Sequence, residues 1–525
     1  MKNTFLLLFS LMCGIVAQAQ PSIEVRNLQR AMELLDATMH RSFRGTEDNL
    51  FMADVCDAET DAVSGPSDVW PYTAAIEAHC SVLEALESLK DIAPDVYYEH
   101  HDRYLHQLDV LINNLSYYRG TYTLTSYATR RTWSVYAVPR ASQPNKGNVT
   151  GDNLKFNVYD DQMWIARELI RAYRLTGKAE YLSDAVHLTD YVLDGWDCWN
   201  DDNGEEYGGI TWGPGYNSKH ACSNGPIIQP LVWLSNLYRE TSPQATVTYY
   251  YREPDNTLAS RAMLRSELYL DFAKKIYAWQ KKHLLNSSTG VYWDMLGADN
   301  ILQYTGTGAQ RRRAHVDNGN PTGNAYTYNT GTMLAGATEL YLVTGDDEYK
   351  NDIPSLAVRS YNAFTKPKNI DGIVYRQWPT DNSALQGFNV WFDNVLMRAY
   401  VDADPTGLSA YSSHSLETFQ TNLDYAYDHY QKNGFLPIDL LGGWNGSTKT
   451  KGFHQASFAA EYAMLAIWQH RISASARIQS STTIKAQPTT HCYTLTGIPI
   501  DREHRSLPFG IYLTGGQKHI VTPTR

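Results

Sequence analysis

Two kinds of helical pattern alternate along this chain, and that alternation limits the possible folds more than any other feature. In one kind the apolar residues run nearly all the way round: residues 72–89, 158–175, 223–238, 326–343, 388–400 and 454–468. A helix without a polar face is buried on every side. In the other kind the charges keep to one stripe: residues 23–40, 96–118, 179–196, 264–285, 348–364 and 416–431. Such a helix packs on one side and meets water on the other. Six of each, in strict alternation, predict inner helices wrapped by outer ones.

An internal repeat defines the unit. Leu175-Thr176-Gly177-Lys178-Ala179-Glu180-Tyr181 returns as Val343-Thr344-Gly345-Asp346-Asp347-Glu348-Tyr349. In each copy Gly ends an inner helix and the residues after it start an outer one. A single helical hairpin cannot bury its own apolar face and must close against neighbours. Six hairpins closed into a ring give an all-α fold, the (α/α)6 toroid, and this is the predicted architecture. An open solenoid is the competing geometry. Pro226 and Pro230 delay or kink the start of the third inner helix.

The flanks differ from this body. Residues 1–19 carry Lys2, an apolar run from Phe5 to Val16 and the small-residue site Ala17-Gln18-Ala19, which is the layout of a secretory signal peptide. The expected location is therefore periplasmic, cell-surface or extracellular. No later stretch is apolar enough to span a bilayer. The helical domain is expected over residues 20–470, a Ser/Thr/Ala-rich linker over 471–490, and a small β-rich tail over 491–525. Five cysteines follow the signal: Cys56, Cys80, Cys198, Cys222 and Cys492. An odd, widely spaced set is no disulfide framework. Cys198 and Cys222 flank a Gly-rich loop and could pair; free buried thiols are the alternative.

A formal net charge of −11, with Arg311-Arg312-Arg313 as an isolated basic run, argues against nucleic acid as the partner. A neutral or weakly charged partner fits that balance better. The 37 Tyr and 13 Trp suit both buried helix packing and stacking on sugar rings, and most of them are expected in the core. The 16 His show no metal-ligand spacing, so neither metal nor cofactor is expected. The sequence sets no oligomeric state.

Three Asp-Asp pairs allow an internal comparison. Asp201-Asp202 sits beside Asn203-Gly204, where Asx turns form, and Asp346-Asp347 opens an outer helix, where acids suit the helix dipole. Asp160-Asp161 also opens a helix, so capping is one reading of it. But this helix is an inner one, and Tyr159 and Trp164 beside the pair would partly desolvate it. Transposed by the repeat, the same positions hold Tyr328 and Asn329, so the fold does not require acids there. Two carboxyls held close cannot both ionise freely. One keeps its proton and can donate it, which is the equipment of a glycosidase. Adjacent residues diverge to the short separation of a retaining enzyme more readily than to the wide one of an inverting enzyme.

The residues around this pair resemble glycoside hydrolase family 76. The resemblance rests on Tyr159-Asp160-Asp161-Gln162 with Trp164, Tyr173-Arg174-Leu175-Thr176-Gly177, and Tyr181-Leu182. A second block agrees: Gly208-Gly209-Ile210-Thr211-Trp212, Asn217-Ser218-Lys219 and Ser223-Asn224-Gly225. Trp70-Pro71-Tyr72 and Gly290-Val291-Tyr292-Trp293-Asp294 are weaker echoes. The resemblance implies an (α/α)6 endo-α-1,6-mannanase that needs no metal, acting on α-mannan polysaccharide or oligosaccharide. By motif position Asp160 would be the nucleophile and Asp161 the acid/base. Tyr159, Trp164, Trp212, Asn217, Lys219, Asn224, Tyr328, Asn329, Trp391, Asp393 and Trp444 are the candidate substrate-binding residues. The tail resembles short sorting extensions of secreted enzymes. Two other readings compete: a non-catalytic glycan-binding protein of the cell surface, and an α-toroid glycosidase or lyase of different specificity.

Overall fold

The computed structural model describes residues 21–60, 62–150, 157–297, 302–380 and 387–481, with four strand segments beyond. The signal-peptide reading of 1–19 lies outside the described residues. Twelve α-helices occur among those described: α1 (Ile23–Ser42), α2 (Val69–Leu89), α3 (Pro94–Asn114), α4 (Tyr159–Thr176), α5 (Ala179–Asp194) and α6 (Ile228–Thr241). They continue as α7 (Arg265–Leu284), α8 (Thr327–Thr344), α9 (Asp347–Phe364), α10 (Asn389–Ala403), α11 (Ala410–Tyr430) and α12 (Gly452–Ser481). None is long and apolar enough to cross a membrane.

The even-numbered helices are the inner ones. α2 packs on α4, α4 on α6, α6 on α8, α8 on α10, α10 on α12, and α12 returns to α2. From α3 onwards each odd helix packs on the even helix before it, while α1 lies against α12 and α2. The repeat ends its two inner helices identically. Gly177 and Gly345 adopt left-handed conformations (φ 70° and 73°) and donate their N–H groups to Tyr173 O and Tyr341 O at 2.7 and 2.8 Å. A side chain would be strained at either position, which explains the glycine.

Some expectations need correcting. The third inner helix starts at Ile228, not at residue 223, because Gly225–Ile227 forms a 3-10 turn. Pro226 lies in that turn and Pro230 in the first turn of α6, where a missing N–H breaks no helical bond. The Ser/Ala-rich start of the expected linker is helical, since α12 runs on to Ser481; alanine favours helix, and nothing in those residues breaks one. The inner helices are also less apolar than their pattern suggests. α4 buries Arg167, Glu168 and Arg171, which pair with one another and with α2.

Among the described residues the longer antiparallel hairpins between the helices are Arg119–Thr125 with Arg130–Tyr136, Thr246–Arg252 with Leu258–Leu264, and Lys366–Ile370 with Ile373–Gln377. The second contains the Tyr249-Tyr250-Tyr251 run. Beyond α12, Cys492–Thr494, Pro499–Ile500, Gly510–Thr514 and Gln517–Val521 form a four-stranded antiparallel sheet.

Candidate active site

All six inner helices begin around one cavity of about 770 Å³, a size suited to a ligand of several rings. Asp68, Trp70 and Pro71 come from the start of α2, and Val158, Asp160, Asp161 and Trp164 from the start of α4. The loop before α6 supplies Trp212, Tyr216, His220 and Cys222. Asp294, Tyr326 and Tyr328 lie on and before α8; Phe388, Trp391 and Phe392 begin α10; Lys451 precedes α12.

The loop before α6 fixes the start of α4. Tyr159 N–H donates to Trp212 O at 2.8 Å, and the indole Nε1 of Trp212 donates to Asp160 Oδ2 at 3.4 Å. The Trp212 ring is in turn stacked on His220, with centroids 5.0 Å apart. Asp294 is pinned by its own carbonyl, which accepts Ala221 N–H at 2.7 Å. Its Oδ1 accepts the Tyr328 hydroxyl at 3.3 Å. The floor is aromatic: Trp391 meets Trp164 and Trp70 edge to face, with centroids 4.8 and 5.1 Å away, and Phe392 packs 4.4 Å from Tyr328.

Burial dominates the electrostatics. It pushes Asp160 up to about 6, against the tempering effect of Cys222 and Trp212. Asp161 goes further: burial, then the Asp160 charge beside it, then Asp68, raise it well above the usual carboxylate range. Asp294 is pushed up to about 6, by burial first and by Asp160 less, with Tyr328 and Asn329 acting the other way. The N-terminal dipole of α4 favours the ionised forms of its two acids but does not offset their desolvation. Asp160 and Asp161 titrate as a pair, with the proton held longer on Asp161. The arrangement can therefore present one carboxylate and one carboxylic acid to the same bond at neutral pH.

Of the residues singled out from sequence, Asp160, Asp161, Trp164, Trp212, Tyr328 and Trp391 line this cavity. The others stand behind or away from it. Tyr159 is buried against Tyr191, 5.0 Å between centroids. Asn217 accepts from Arg313 Nη2 at 3.1 Å. Lys219 is fully buried, and its Nζ binds Asp197 Oδ2, Val316 O and Asn318 Oδ1 at 3.2, 2.8 and 3.0 Å. Asn224 is also fully buried, tied by its amide to the Ile210 N–H and carbonyl at 2.8 and 2.9 Å. Asn329 is enclosed behind Asp294. Asp393 accepts from Thr327 Oγ1 at 2.8 Å and borders a separate small cavity with Glu461. Trp444 donates to Tyr430 O at 2.7 Å and packs near Cys56 and Phe435. Cys198 and Cys222 are free thiols.

Sequence reasoning passed over Asp68, Trp70, Tyr216, His220, Cys222, Asp294, Tyr326, Phe388, Phe392 and Lys451 as site residues. Asp294 and Trp70 did lie in the two weaker sequence echoes, and that was the available signal. Asp68 precedes α2 as an ordinary helix-start acid would.

The sequence profile of glycosyl hydrolase family 76 matches residues 108–247 and 258–433. No curated protein sequence matches the chain. Among solved structures, a family 76 glycoside hydrolase (mannosidase) from Bacteroides thetaiotaomicron VPI-5482 superposes with TM-score 0.61 at 18% identity, over 85% of this chain and 100% of that one. An inactive variant of an α-1,6-mannanase from Salegentibacter sp. HEL1_6, with two consecutive aspartates replaced by asparagine and α-1,6-mannotriose bound, gives 0.52 at 18% identity, over 84% and 99%. A D-mannose isomerase gives 0.51 at 11% identity, over 85% and 99%. At these identities the likeness establishes the fold, and the isomerase illustrates that fold alone does not fix the reaction.

Proposed function

The chain belongs to glycosyl hydrolase family 76, and from that premise we propose that it is an exported, retaining hydrolase of α-1,6-mannosidic bonds in mannan backbones. Its fold is the (α/α)6 toroid, with Asp160 as nucleophile and Asp161 as acid/base. The observation that carries the reading is the pair itself: two successive carboxyls in the first turn of α4, both opening on an aromatic-lined cavity. Their ordering supports the roles, because burial and the Asp160 charge keep the proton on Asp161 while Asp160 ionises near 6.

In the first step the Asp161 carboxyl gives its proton to the glycosidic oxygen as that bond breaks. An Asp160 oxygen attacks the anomeric carbon from the opposite face, forming a glycosyl ester. In the second step Asp161, now a carboxylate, takes a proton from water; the water oxygen attacks the same carbon, the ester breaks and Asp160 is released. Two inversions leave the α configuration. Positive charge builds on the sugar ring in both steps, and ionised Asp294 in the cavity wall suits it. Trp164, Trp212 and Trp391 offer flat faces and edges to mannosyl rings. The Salegentibacter enzyme adds support, since an inactive form of it replaces two consecutive aspartates and holds α-1,6-mannotriose.

The test is incubation of the mature protein with unbranched α-1,6-mannan while new reducing ends are counted. The proposal expects short oligosaccharides from the wild type and none from Asp160→Asn or Asp161→Asn, each with an unchanged helical circular dichroism spectrum. Saturable mannan binding without new reducing ends would instead favour a glycan-binding protein.

A further inference from the structure

Beneath the aromatic floor lies a run of buried charge that the proposed chemistry does not use. Glu77, on α2, pairs through Oε1 with Arg398 Nη1 of α10 and lies 3.8 Å from Arg167 Nη1 of α4. Its other oxygen, Oε2, accepts the indole N–H of Trp391 at 3.0 Å. Arg398 sits beneath the second floor tryptophan, its guanidinium carbon 5.2 Å from the Trp164 ring centroid. Trp391 and Trp164, which meet edge to face in the floor, are thus each held by one member of the same ion pair. Glu77 and Arg398 are themselves buried, and neither lines the cavity.

A buried ion pair is a poor source of stability, since apolar residues of similar volume often serve as well or better. What it does supply is orientation. An indole has two faces and one N–H, and a carboxylate is the strong acceptor that selects one setting of the ring. A cation against the face of the second ring restricts it as well. Substrate-binding surfaces depend on such support, because a ring free to turn must be ordered anew each time a ligand binds.

We propose that Glu77 and Arg398 are positioning residues for the sugar-binding floor. Glu77 sets the orientation of Trp391, Arg398 holds Trp164, and the pair thereby presents a preformed stacking surface to the mannosyl unit beside Asp160 and Asp161. The proposal rests on the mannan-hydrolase reading.

Two double variants isolate the contact. Glu77→Gln/Arg398→Met and Glu77→Leu/Arg398→Met both remove the two charges, but only the first keeps an acceptor for the Trp391 N–H. The first gives up only the Arg398 hold on Trp164 and is expected to raise the KM for α-1,6-mannan about threefold. The second, which also frees Trp391, is expected to raise it about tenfold further, the effect of one more side chain left to be ordered on binding, with kcat changed less. The near-ultraviolet circular dichroism of the second should also differ from that of the first. Equal KM values and equal spectra in the two doubles would overturn the proposal. Trp391→Phe keeps an aromatic face without an N–H to hold, so an unchanged KM there overturns it even if the leucine double fails to fold. A wild type that releases no reducing ends from mannan would instead defeat the underlying reading, while the spectra of the doubles still report whether Glu77 orients Trp391.

Discussion

Trp212 holds Asp160 twice over: its carbonyl accepts the N–H of Tyr159, one residue before Asp160, and its indole N–H donates to Asp160 Oδ2 at 3.4 Å. A loop residue thereby sets both where helix α4 begins and how readily its first acid ionises. The bond favours the charged form and works against burial.

Trp212→Phe removes the donor and keeps the ring. Losing a bond to the ionised form raises the pKa of Asp160, so the ascending limb of kcat/KM against pH should move upward from about 6. A pH–rate profile of the variant checks the sign, and a limb that stays or falls contradicts the assignment of that limb to Asp160.

Asp294→Asn should move the same limb the other way. The Asp294 charge and the Asp160 charge each disfavour the other, so neutralising Asp294 lowers the pKa of Asp160. The loss of a negative charge facing the sugar should also cut kcat, by about 10²-fold for one electrostatic contact of this kind. Profiles of the two variants, taken together, separate these effects.

Asp160→Asn should stabilise the protein near neutral pH. The folded pKa of about 6 lies above the unfolded carboxylate value, so ionisation favours the unfolded chain. The penalty is absent below pH 4, where the acid is protonated in both states, and grows as pH rises towards and through 6. Replacing the acid should therefore raise stability by about 1–2 kcal/mol at pH 7 and by little at pH 3.5, once solvation from the cavity is allowed for. Thermal denaturation at the two pH values measures it.

Lys219→Met should fail by unfolding and not by weak binding. Lys219 and Asp197 are buried together with no exposed side-chain surface, and the lysine also ties down Val316 and Asn318. Removing one partner strands a buried charge, at a cost of about 3–5 kcal/mol. Denaturant titration should show that loss, and Lys219→Met/Asp197→Asn should recover much of it.

The parts of this protein legible in its sequence are those written locally. Helical periodicity marked the inner and outer helices, and the repeated Thr-Gly marked the turns at Gly177 and Gly345. Asp160 and Asp161 stood out among three Asp-Asp pairs because they open an inner helix beside Tyr159 and Trp164, at positions where the repeat has Tyr328 and Asn329. Asp68 and Asp294 were harder, since one is a lone acid at the N-cap of α2 and the other a lone acid in the long segment between α7 and α8, and only the folded ring brings them to the pair. Lys219, Asn217 and Asn224 were picked as sugar ligands because polar residues in a Gly-rich loop look alike whether they bind a ligand or the loop itself. Their partners, Asp197, Arg313 and Ile210, are the loop itself or segments folded against it. The charges buried along α4 escaped notice because, besides one another, their partners are Glu77 and Glu84 of α2, far away in the chain.

The most direct test follows the configuration of the product. Proton nuclear magnetic resonance, recorded in the first minutes of α-1,6-mannan hydrolysis, reads the anomer before it mutarotates. Attack by Asp160 and then by water predicts that the α anomer appears first, and that Asp160→Asn yields no product. A β anomer appearing first, or continued turnover by Asp160→Asn, would contradict the account.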